Sequence, residues 1–252
     1  MRAVCKKTSF SAAVSRSGVP KIQMVTFQSG PEIVTAFLAL TSDLGRHRAV
    51  IAIHEWWGLN EWVKEQAANL AANGYIVLAV DLYHGKVTAN PSEARKLKRD
   101  LREDRAIRVL KAAFDYLADR PDVDPIHISS IGWSMGGGLA LQLAIHEPRL
   151  AACVVNYGSL PTEPVDIQKI NAQVLGTFGS LDRGIPPNKV RAFEKGMKAV
   201  NKYVDIKIYD GAGHAFENSA NKSNYRPEAT ADAWLRTLTF LEQAKASKSP
   251  VL

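Results

Sequence analysis

Residues 132–138, Gly-Trp-Ser-Met-Gly-Gly-Gly, place Ser134 in a G-x-S-x-G pattern. The preceding residues 124–131 are typical of a buried strand, whereas Met135, Leu139 and Leu143 repeat with helical spacing. A serine nucleophile on a strand–turn–helix elbow needs small flanking residues, because the sharp turn leaves no room for larger ones. The pattern therefore predicts a serine nucleophile at the carboxyl end of a sheet. An ordinary glycine-rich turn is the alternative interpretation.

The rest of the chain contains the partners that such a serine requires. A serine hydroxyl attacks a carbonyl only when a base removes its proton and an acid orients that base. Asp182 and His214 each follow a predicted strand, and the order Ser134, Asp182, His214 is that of the α/β-hydrolases. We predict a catalytic triad of these three residues at the edge of the sheet. Asp210 is a second candidate for the acid, although its Asp-Gly context favours a turn.

Strands alternate with helices along most of the chain, which predicts a mostly parallel central sheet with helices on both faces, the α/β-hydrolase fold. Residues 22–40 predict an antiparallel hairpin at one edge of this sheet. We predict a single domain over residues 22–247, a basic Ser/Arg-rich extension over 1–21 and a short tail over 248–252. One predicted helix begins after Asn60, a second runs over 91–118, and a third begins after Asn188. The last predicted helix begins at Pro227, and its inward face carries Ala231, Trp234, Leu238 and Leu241.

Charge and hydropathy argue against two classes of partner. The net charge is +7, but residues 1–21 hold five basic residues and no acid, which leaves +2 for the remaining 231. A second basic cluster at 95–111 is interleaved with acidic residues, as on a solvated helix face. No apolar run approaches the roughly 18 residues of a membrane span. We therefore expect neither a nucleic-acid nor a membrane partner.

Cysteine and histidine usage indicates a protein without disulfides or metal. The two cysteines, Cys5 and Cys153, do not form a disulfide framework, so a cytoplasmic location is expected, although residues 1–21 leave targeting open. The pair His54-Glu55 would need a second histidine at position 58 to form a zinc motif, and that residue is Gly58. We expect neither a metal nor a cofactor.

The negative oxygen that forms on an attacked carbonyl needs donors that are already in place. The backbone N–H groups of Met135, directly after the serine, and of Trp56, in the loop after the third strand, are the predicted oxyanion donors. The adjacent indoles of Trp56 and Trp57 either form an apolar pocket wall or pack into the core.

Six sequence blocks, at 54–60, 74–83, 132–138, 156–158, 179–182 and 212–216, together resemble the dienelactone hydrolase family, over roughly residues 25–241. The resemblance implies an α/β-hydrolase fold and cofactor-free hydrolysis of lactones and small carboxylic esters. Glu55 matches the active-site glutamate of the family. We expect the substrate pocket to be lined by side chains of these blocks and by one neighbouring lysine, namely Trp57, Tyr83, Lys86, Trp133, Tyr157 and Phe216.

Two positions depart from the family pattern. Its nucleophile is usually a cysteine, which the glutamate helps to activate, whereas this chain has Ser134. Glu55 therefore either orients and tunes the site or only ties down its loop. Dienelactone-cleaving members hold the substrate carboxylate with arginines near the blocks at 81–83 and 213–216, where this chain has His84-Gly85-Lys86 and Glu217-Asn218. This difference favours a neutral ester or lactone over dienelactone itself.

These observations predict a hydrolase that cleaves small carboxylic esters or lactones through an acyl-enzyme, as a monomer or small homo-oligomer. Two alternatives stay open. One is a non-catalytic domain of the same fold that binds a ligand or a protein. The other is an acyltransferase that uses the same site.

Overall fold

One eight-stranded sheet forms the centre of the computed structural model, which describes residues 18–246. The strands are β1 (Lys21–Ser29), β2 (Glu32–Leu40), β3 (His47–Ile53), β4 (Ile76–Val80), β5 (Val123–Trp133), β6 (Ala152–Asn156), β7 (Gln173–Gly179) and β8 (Val204–Tyr209). Their order is β1-β2-β4-β3-β5-β6-β7-β8. The β1–β2 hairpin is antiparallel and joins β4 antiparallel, whereas β4, β3 and β5 to β8 run parallel. The predicted α/β-hydrolase fold with an antiparallel edge is confirmed.

Seven helices of the described chain cover the two faces of the sheet. They are α1 (Glu61–Ala72), α2 (Pro91–Asp100), α3 (Glu103–Ala118), α4 (Met135–His146), α5 (Pro164–Lys169), α6 (Pro187–Ala199) and α7 (Pro227–Gln243). In β3, Ile51 and Ile53 belong to the core on the face that α3, α4 and α6 cover, whereas Val50 and Ala52 belong to the core on the face that α1 and α7 cover. Successive side chains of a strand point to opposite faces, so a strand buried on both faces reads as a continuous apolar run.

Three helix predictions need correction. The single helix predicted over 91–118 is two helices, because the backbone is extended at Leu101 and Arg102. Only Ala94 of α2 is buried, so little packing holds α2 in line with α3. The predicted cap Asn188 lies inside the first turn of α6, which begins at Pro187.

The last helix is rotated relative to the prediction. Its buried residues are Ala233, Thr237, Phe240 and Leu241, whereas Ala231 is exposed. Trp234 and Leu238 are half-buried. The polar residue Thr237 occupies a position on the inner stripe, so apolar spacing alone did not identify the stripe. Residues 1–17, including Cys5, and the tail from 247 lie outside the described residues.

The turn between β5 and α4 holds Ser134 in a backbone conformation that side-chain-bearing residues seldom adopt, with φ 53° and ψ −113°. The turn is tied to β6, since the amide of Ser134 donates to the carbonyl of Asn156 at 2.9 Å. Two glycines make the geometry possible. A Cβ on Gly132 would lie 2.0 Å from the Gly136 oxygen, and one on Gly136 would lie 2.1 Å from the Ile53 oxygen.

Gly136→Ala is therefore expected to destabilise the fold. Its Cβ would overlap backbone atoms that cannot rotate away, and overpacking of this kind costs about 1–3 kcal/mol or more. Gly196→Ala in α6 is the matched control, because its added Cβ meets only the movable Cδ1 of Ile167 and alanine favours helix. Urea unfolding of both variants measures the difference. Equal stability of the two variants would contradict this account of the elbow.

Candidate active site

Three side chains from separate loops form a continuous hydrogen-bonded chain at the carboxyl end of the sheet. The hydroxyl of Ser134 lies 2.8 Å from Nε2 of His214, and Nδ1 of His214 lies 2.7 Å from Oδ2 of Asp182. The imidazole is 41% exposed, whereas the carboxylate is buried. With Nδ1–H donating to Asp182, the lone pair of Nε2 faces the serine hydroxyl. This is the arrangement that general-base activation of a serine requires.

Asp182 is an ionised carboxylate in spite of its burial. Burial favours the neutral acid, but hydrogen bonds from His214 and from the backbone amides of Gly184 and Ile185 outweigh it and lower the pKa of Asp182. Those amides donate to Oδ1 at 2.8 and 3.0 Å. The competing acid, Asp210, instead accepts a hydrogen bond from Ser180 at 3.1 Å on the exposed surface. The geometry therefore favours Asp182 as the partner of His214.

The loop that carries His214 is anchored by asparagines that the sequence interpretation did not identify. Nδ2 of Asn224 donates to the His214 carbonyl at 3.0 Å, and Nδ2 of Asn221 donates to the same carbonyl at 3.3 Å. Thr230 of α7 donates to the Phe216 carbonyl at 3.1 Å. These bonds hold the backbone at His214 and directly after it. Several asparagines shortly after a candidate histidine are the signal that would have indicated such an anchor.

The predicted oxyanion donors flank the nucleophile. Met135 begins α4 directly after Ser134, and Trp56 follows the end of β3 and lines the cleft. Neither backbone amide donates a hydrogen bond within residues 18–246. Free amides at a helix start and in an adjacent loop are the kind of donors that a developing oxyanion uses.

A cleft of about 620 Å³ opens above Ser134 and His214. Trp57, predicted to line the pocket, lies in its wall together with Trp56, and their ring centroids are 4.7 Å apart. Lys98 of α2 also lines the cleft, a residue that sequence reasoning missed. The residues around the cleft are Glu55, Trp56, Trp57, Asn60, Thr88, Ala89, Lys98, Ser134, His214, Ala215, Asn218, Ala220, Asn221 and Asn224.

The other five predicted pocket residues are not among those that line this cleft. Trp133, Tyr157 and Phe216 are fully buried beneath the catalytic side chains, on the α1/α7 face of the sheet. Tyr83 is buried on the opposite face, and its hydroxyl donates to the sulfur of Met135 at 3.2 Å. Lys86 does not line the cleft, and the cation that does is Lys98.

Glu55 is a buried carboxyl group at the cleft, only 2% exposed. Burial raises its pKa to about 7, although a hydrogen bond from Asn218 and the proximity of His214 act in the opposite direction. Nδ2 of Asn218 donates to Oε2 of Glu55 at 2.7 Å. Asn218 lies in the stretch Glu217-Asn218, near which the family resemblance implied an arginine, so the carboxyl has a neutral amide as its partner.

The neighbouring His54 has a structural role. Its Nδ1 lies 2.6 Å from the Glu55 carbonyl, and its Nε2 accepts the amide of Leu82 at 3.2 Å. Burial lowers the pKa of His54, so the ring is neutral and ties the loops after β3 and β4 together. Cys153, on β6, is buried, and burial raises its pKa to about 12, so its thiol stays protonated. Residues 18–246 contain no cluster of histidine, cysteine or acidic residues suited to a metal ion, and no helix long and apolar enough to cross a bilayer.

Comparison with known proteins adds an independent observation. Residues 34–245 match the sequence model of the dienelactone hydrolase family. The chain belongs to the dienelactone hydrolase family. A Saccharolobus solfataricus relative named "Putative carboxymethylenebutenolidase" is 32% identical, covering 87% of this chain and 97% of the relative. A similar fold occurs in a Klebsiella pneumoniae protein described as "Putative Dienelactone Hydrolase", which is 25% identical with a TM-score of 0.82 and covers 90% of this chain and 100% of that one.

A further relative in the same size range is the "Protein usf" of Aquifex pyrophilus, 30% identical, with 88% of this chain and 98% of that protein covered. The match thus extends over nearly the full length of these three proteins. Family membership identifies it as a hydrolase.

Glu55→Gln is expected to change how stability depends on pH. The folded state holds the Glu55 proton up to about pH 7, whereas an ordinary glutamate has a pKa of 4.5. The stability that this proton contributes is complete below pH 4.5 and is lost as the pH rises through 7. Glutamine keeps an acceptor for Asn218 and cannot ionise. The variant should gain on the order of 3 kcal/mol over wild type at pH 8.5 relative to pH 4.5.

Urea unfolding at the two pH values measures this difference in unfolding free energy. Glu242→Gln, at an exposed position of α7, is the control and should show no such gain. A gain for Glu55→Gln that does not vary with pH would show that folding does not raise the pKa of Glu55, contrary to this interpretation.

Proposed function

We propose that this chain hydrolyses carboxylic esters or lactones through an acyl-enzyme on Ser134. The observation that carries the proposal is the hydrogen-bonded chain from Ser134 through His214 to the ionised Asp182, with contacts of 2.8 and 2.7 Å, which opens on a cleft of about 620 Å³. A cleft above an oriented base and a strained serine is the constellation of acyl transfer. Family membership supports the same reaction class.

In the first step, Oγ of Ser134 bonds to the carbonyl carbon while Nε2 of His214 accepts the hydroxyl proton. Asp182 holds the imidazole tautomer and stabilises the imidazolium that forms. The carbonyl oxygen becomes negative and accepts hydrogen bonds from the backbone amides of Trp56 and Met135. The ester C–O bond then breaks, and the leaving oxygen takes the proton from His214.

In the second step, His214 removes a proton from water, whose oxygen bonds to the acyl carbon. The bond between that carbon and Oγ of Ser134 breaks, and the serine regains its proton from the imidazolium. The free acid leaves the cleft. One water is consumed for each ester bond, and the protein returns to its starting protonation state.

The cleft favours a neutral substrate. A substrate carboxylate near the reacting carbonyl would lie beside the Glu55 carboxyl, with the neutral Asn218 amide as its neighbour instead of an arginine. A bidentate clamp needs a guanidinium, which residues 18–246 do not present at the cleft. The aromatic wall of Trp56 and Trp57 offers apolar surface instead. Short neutral esters and lactones are therefore the proposed substrates.

Ser134→Ala is the direct test of the nucleophile. Removal of Oγ eliminates the acyl-enzyme, so kcat on p-nitrophenyl acetate should fall by at least about 10³-fold while the fold is retained. Alanine carries a Cβ like serine, so the strained backbone is equally accessible to it. Circular dichroism and thermal unfolding confirm folding of the variant. Wild-type turnover by folded Ser134→Ala protein would refute the proposed function.

Asp182→Asn and Asp210→Asn together identify the acid of the triad. The amide that replaces the Asp182 carboxylate would no longer select the productive imidazole tautomer, so kcat should fall by roughly 10³- to 10⁴-fold. Asp210 has no contact with His214, so its variant should stay within about twofold of wild type. Steady-state kinetics on the same ester compares them. A larger loss in Asp210→Asn would assign the acid to Asp210.

A further inference from the structure

Tyr83 contacts both segments that carry the predicted oxyanion donors, although it does not line the cleft. Its hydroxyl donates to Sδ of Met135 at 3.2 Å. Its ring stands edge-on to the imidazole of His54, with centroids 4.9 Å apart. Met135 supplies one predicted donor amide, and His54 lies two residues before Trp56, which supplies the other. One buried phenol thus joins the start of α4 to the loop after β3.

The first turn of α4 has a single side chain that can anchor it. Met135 is followed by three glycines at 136–138, and glycine is the poorest helix former apart from proline. The glycines let the turn pack closely on the sheet, but they offer no side chain that could fix its orientation. A thioether side chain is unbranched and adaptable, so it needs a neighbour to hold it in place. Among residues 18–246, only the Tyr83 hydroxyl forms a hydrogen bond with the Met135 side chain.

The other predicted donor is held through His54. Nδ1 of His54 lies 2.6 Å from the carbonyl of Glu55, the residue before Trp56. Nε2 of the same ring accepts the amide of Leu82, the residue before Tyr83, at 3.2 Å. The imidazole that Tyr83 packs against is therefore bonded to the Trp56 loop on one side and to the Tyr83 loop on the other.

Tyr83 is itself fixed in place. Its amide donates to Oδ1 of Asp81 at 2.8 Å, and its carbonyl accepts the amide of Lys86 at 3.2 Å. The residue is only 4% exposed. Burial raises the pKa of the Tyr83 phenol, so the hydroxyl keeps its proton and remains a donor. The phenol is thus a rigid support for the two segments that it contacts.

The reaction gives such a support a purpose. An oxyanion hole stabilises the transition state only when its donors already point at the position of the developing charge. The amides of Met135 and Trp56 lie in separate segments, so their mutual orientation depends on contacts between those segments. The contacts of Tyr83 with Met135 and with His54 are of this kind.

We propose that Tyr83 is a positioning residue that holds the two oxyanion donors in their mutual orientation. The hydroxyl fixes the Met135 amide through the thioether, and the ring fixes the Trp56 amide through His54. Tyr83 neither transfers a proton nor contacts the substrate. The inference rests on the proposed function, because acyl transfer creates the oxyanion that these amides bind.

Tyr83→Phe removes the hydroxyl and keeps the ring against His54. Both steps of the reaction pass through an oxyanion, so kcat on p-nitrophenyl acetate should fall about five- to twentyfold while KM stays within about twofold. Tyr116→Phe is the matched control, because that phenol lies on α3 and its ring packs against Phe27. Its kinetics should match those of wild type. Circular dichroism and thermal unfolding establish that both variants fold.

Inhibition by two ketones separates positioning of the donors from general packing of the cleft. Oγ of Ser134 bonds to the carbonyl carbon of trifluoroacetophenone, its proton passes to His214, and the carbonyl oxygen becomes negative. Acetophenone binds without forming this adduct. Tyr83→Phe should weaken inhibition by trifluoroacetophenone at least about fivefold and leave inhibition by acetophenone within about twofold. Equal weakening of both ketones, or an unchanged kcat, would overturn the proposal.

Met135→Leu removes the sulfur acceptor and keeps a side chain of similar volume. If the hydroxyl acts through the thioether, this variant should show the kcat loss and the ketone selectivity expected of Tyr83→Phe. The double variant should lose no more than either single variant, because both remove the same interaction. Fully additive losses would contradict the route through Met135. If Tyr83→Phe does not fold, Met135→Leu alone decides, and wild-type ketone selectivity in that variant would overturn the proposal.

A wild type without esterase activity would refute the proposed function, and the placement of the two amides would still be measurable. Backbone ¹⁵N relaxation should give lower order parameters for the amides of Met135 and Trp56 in Tyr83→Phe than in wild type and in Tyr116→Phe. Order parameters that do not change at these two amides would overturn the positioning role of Tyr83.

Discussion

The site depends on the strained backbone of Ser134. Positive φ at a residue with a side chain costs about 1–3 kcal/mol and persists only where the surroundings enforce it. Here two glycines allow α4 to pack against β3 and β5 at backbone contact distance, and the Ser134 amide is bonded to β6. The strain directs Oγ away from the sheet and towards His214. The packing of α4 against the sheet thus positions the Ser134 hydroxyl through the turn between β5 and α4.

The carboxyl groups of this site differ in the direction of their pKa shifts, although all of them are removed from solvent. Asp182 is buried but accepts three hydrogen bonds, including one from the imidazole, so it stays ionised. Glu55 accepts one hydrogen bond from a neutral amide, and Glu217 accepts one from an indole, so burial prevails and both hold protons more firmly. The number and charge of the donors, rather than depth alone, decide the protonation state. The site therefore combines one permanent anion with carboxyls that respond to pH.

The fold and the residues of the triad were predictable because their signals are local. Buried strands read as apolar runs, and the elbow requires small residues at set positions around Ser134. The residues that line the pocket were less predictable, because they depend on the direction in which each side chain points. Trp133 is the last residue of β5 and points to the same face as Ile131, since side chains two apart in a strand share a face, so it lies in the core. Lys98 lines the cleft from α2, whose separation from α3 is a tertiary effect without a signal in helical spacing.

Covalent labelling by a fluorophosphonate tests most directly whether Ser134 is activated by His214. Intact-mass analysis and peptide mapping of folded wild type should show one adduct, on Ser134. Folded His214→Ala should be labelled at least about 100-fold more slowly, since general-base catalysis by a positioned side chain contributes 10²–10⁴-fold. An unlabelled wild type, an adduct at another residue, or an undiminished rate in His214→Ala would contradict the account.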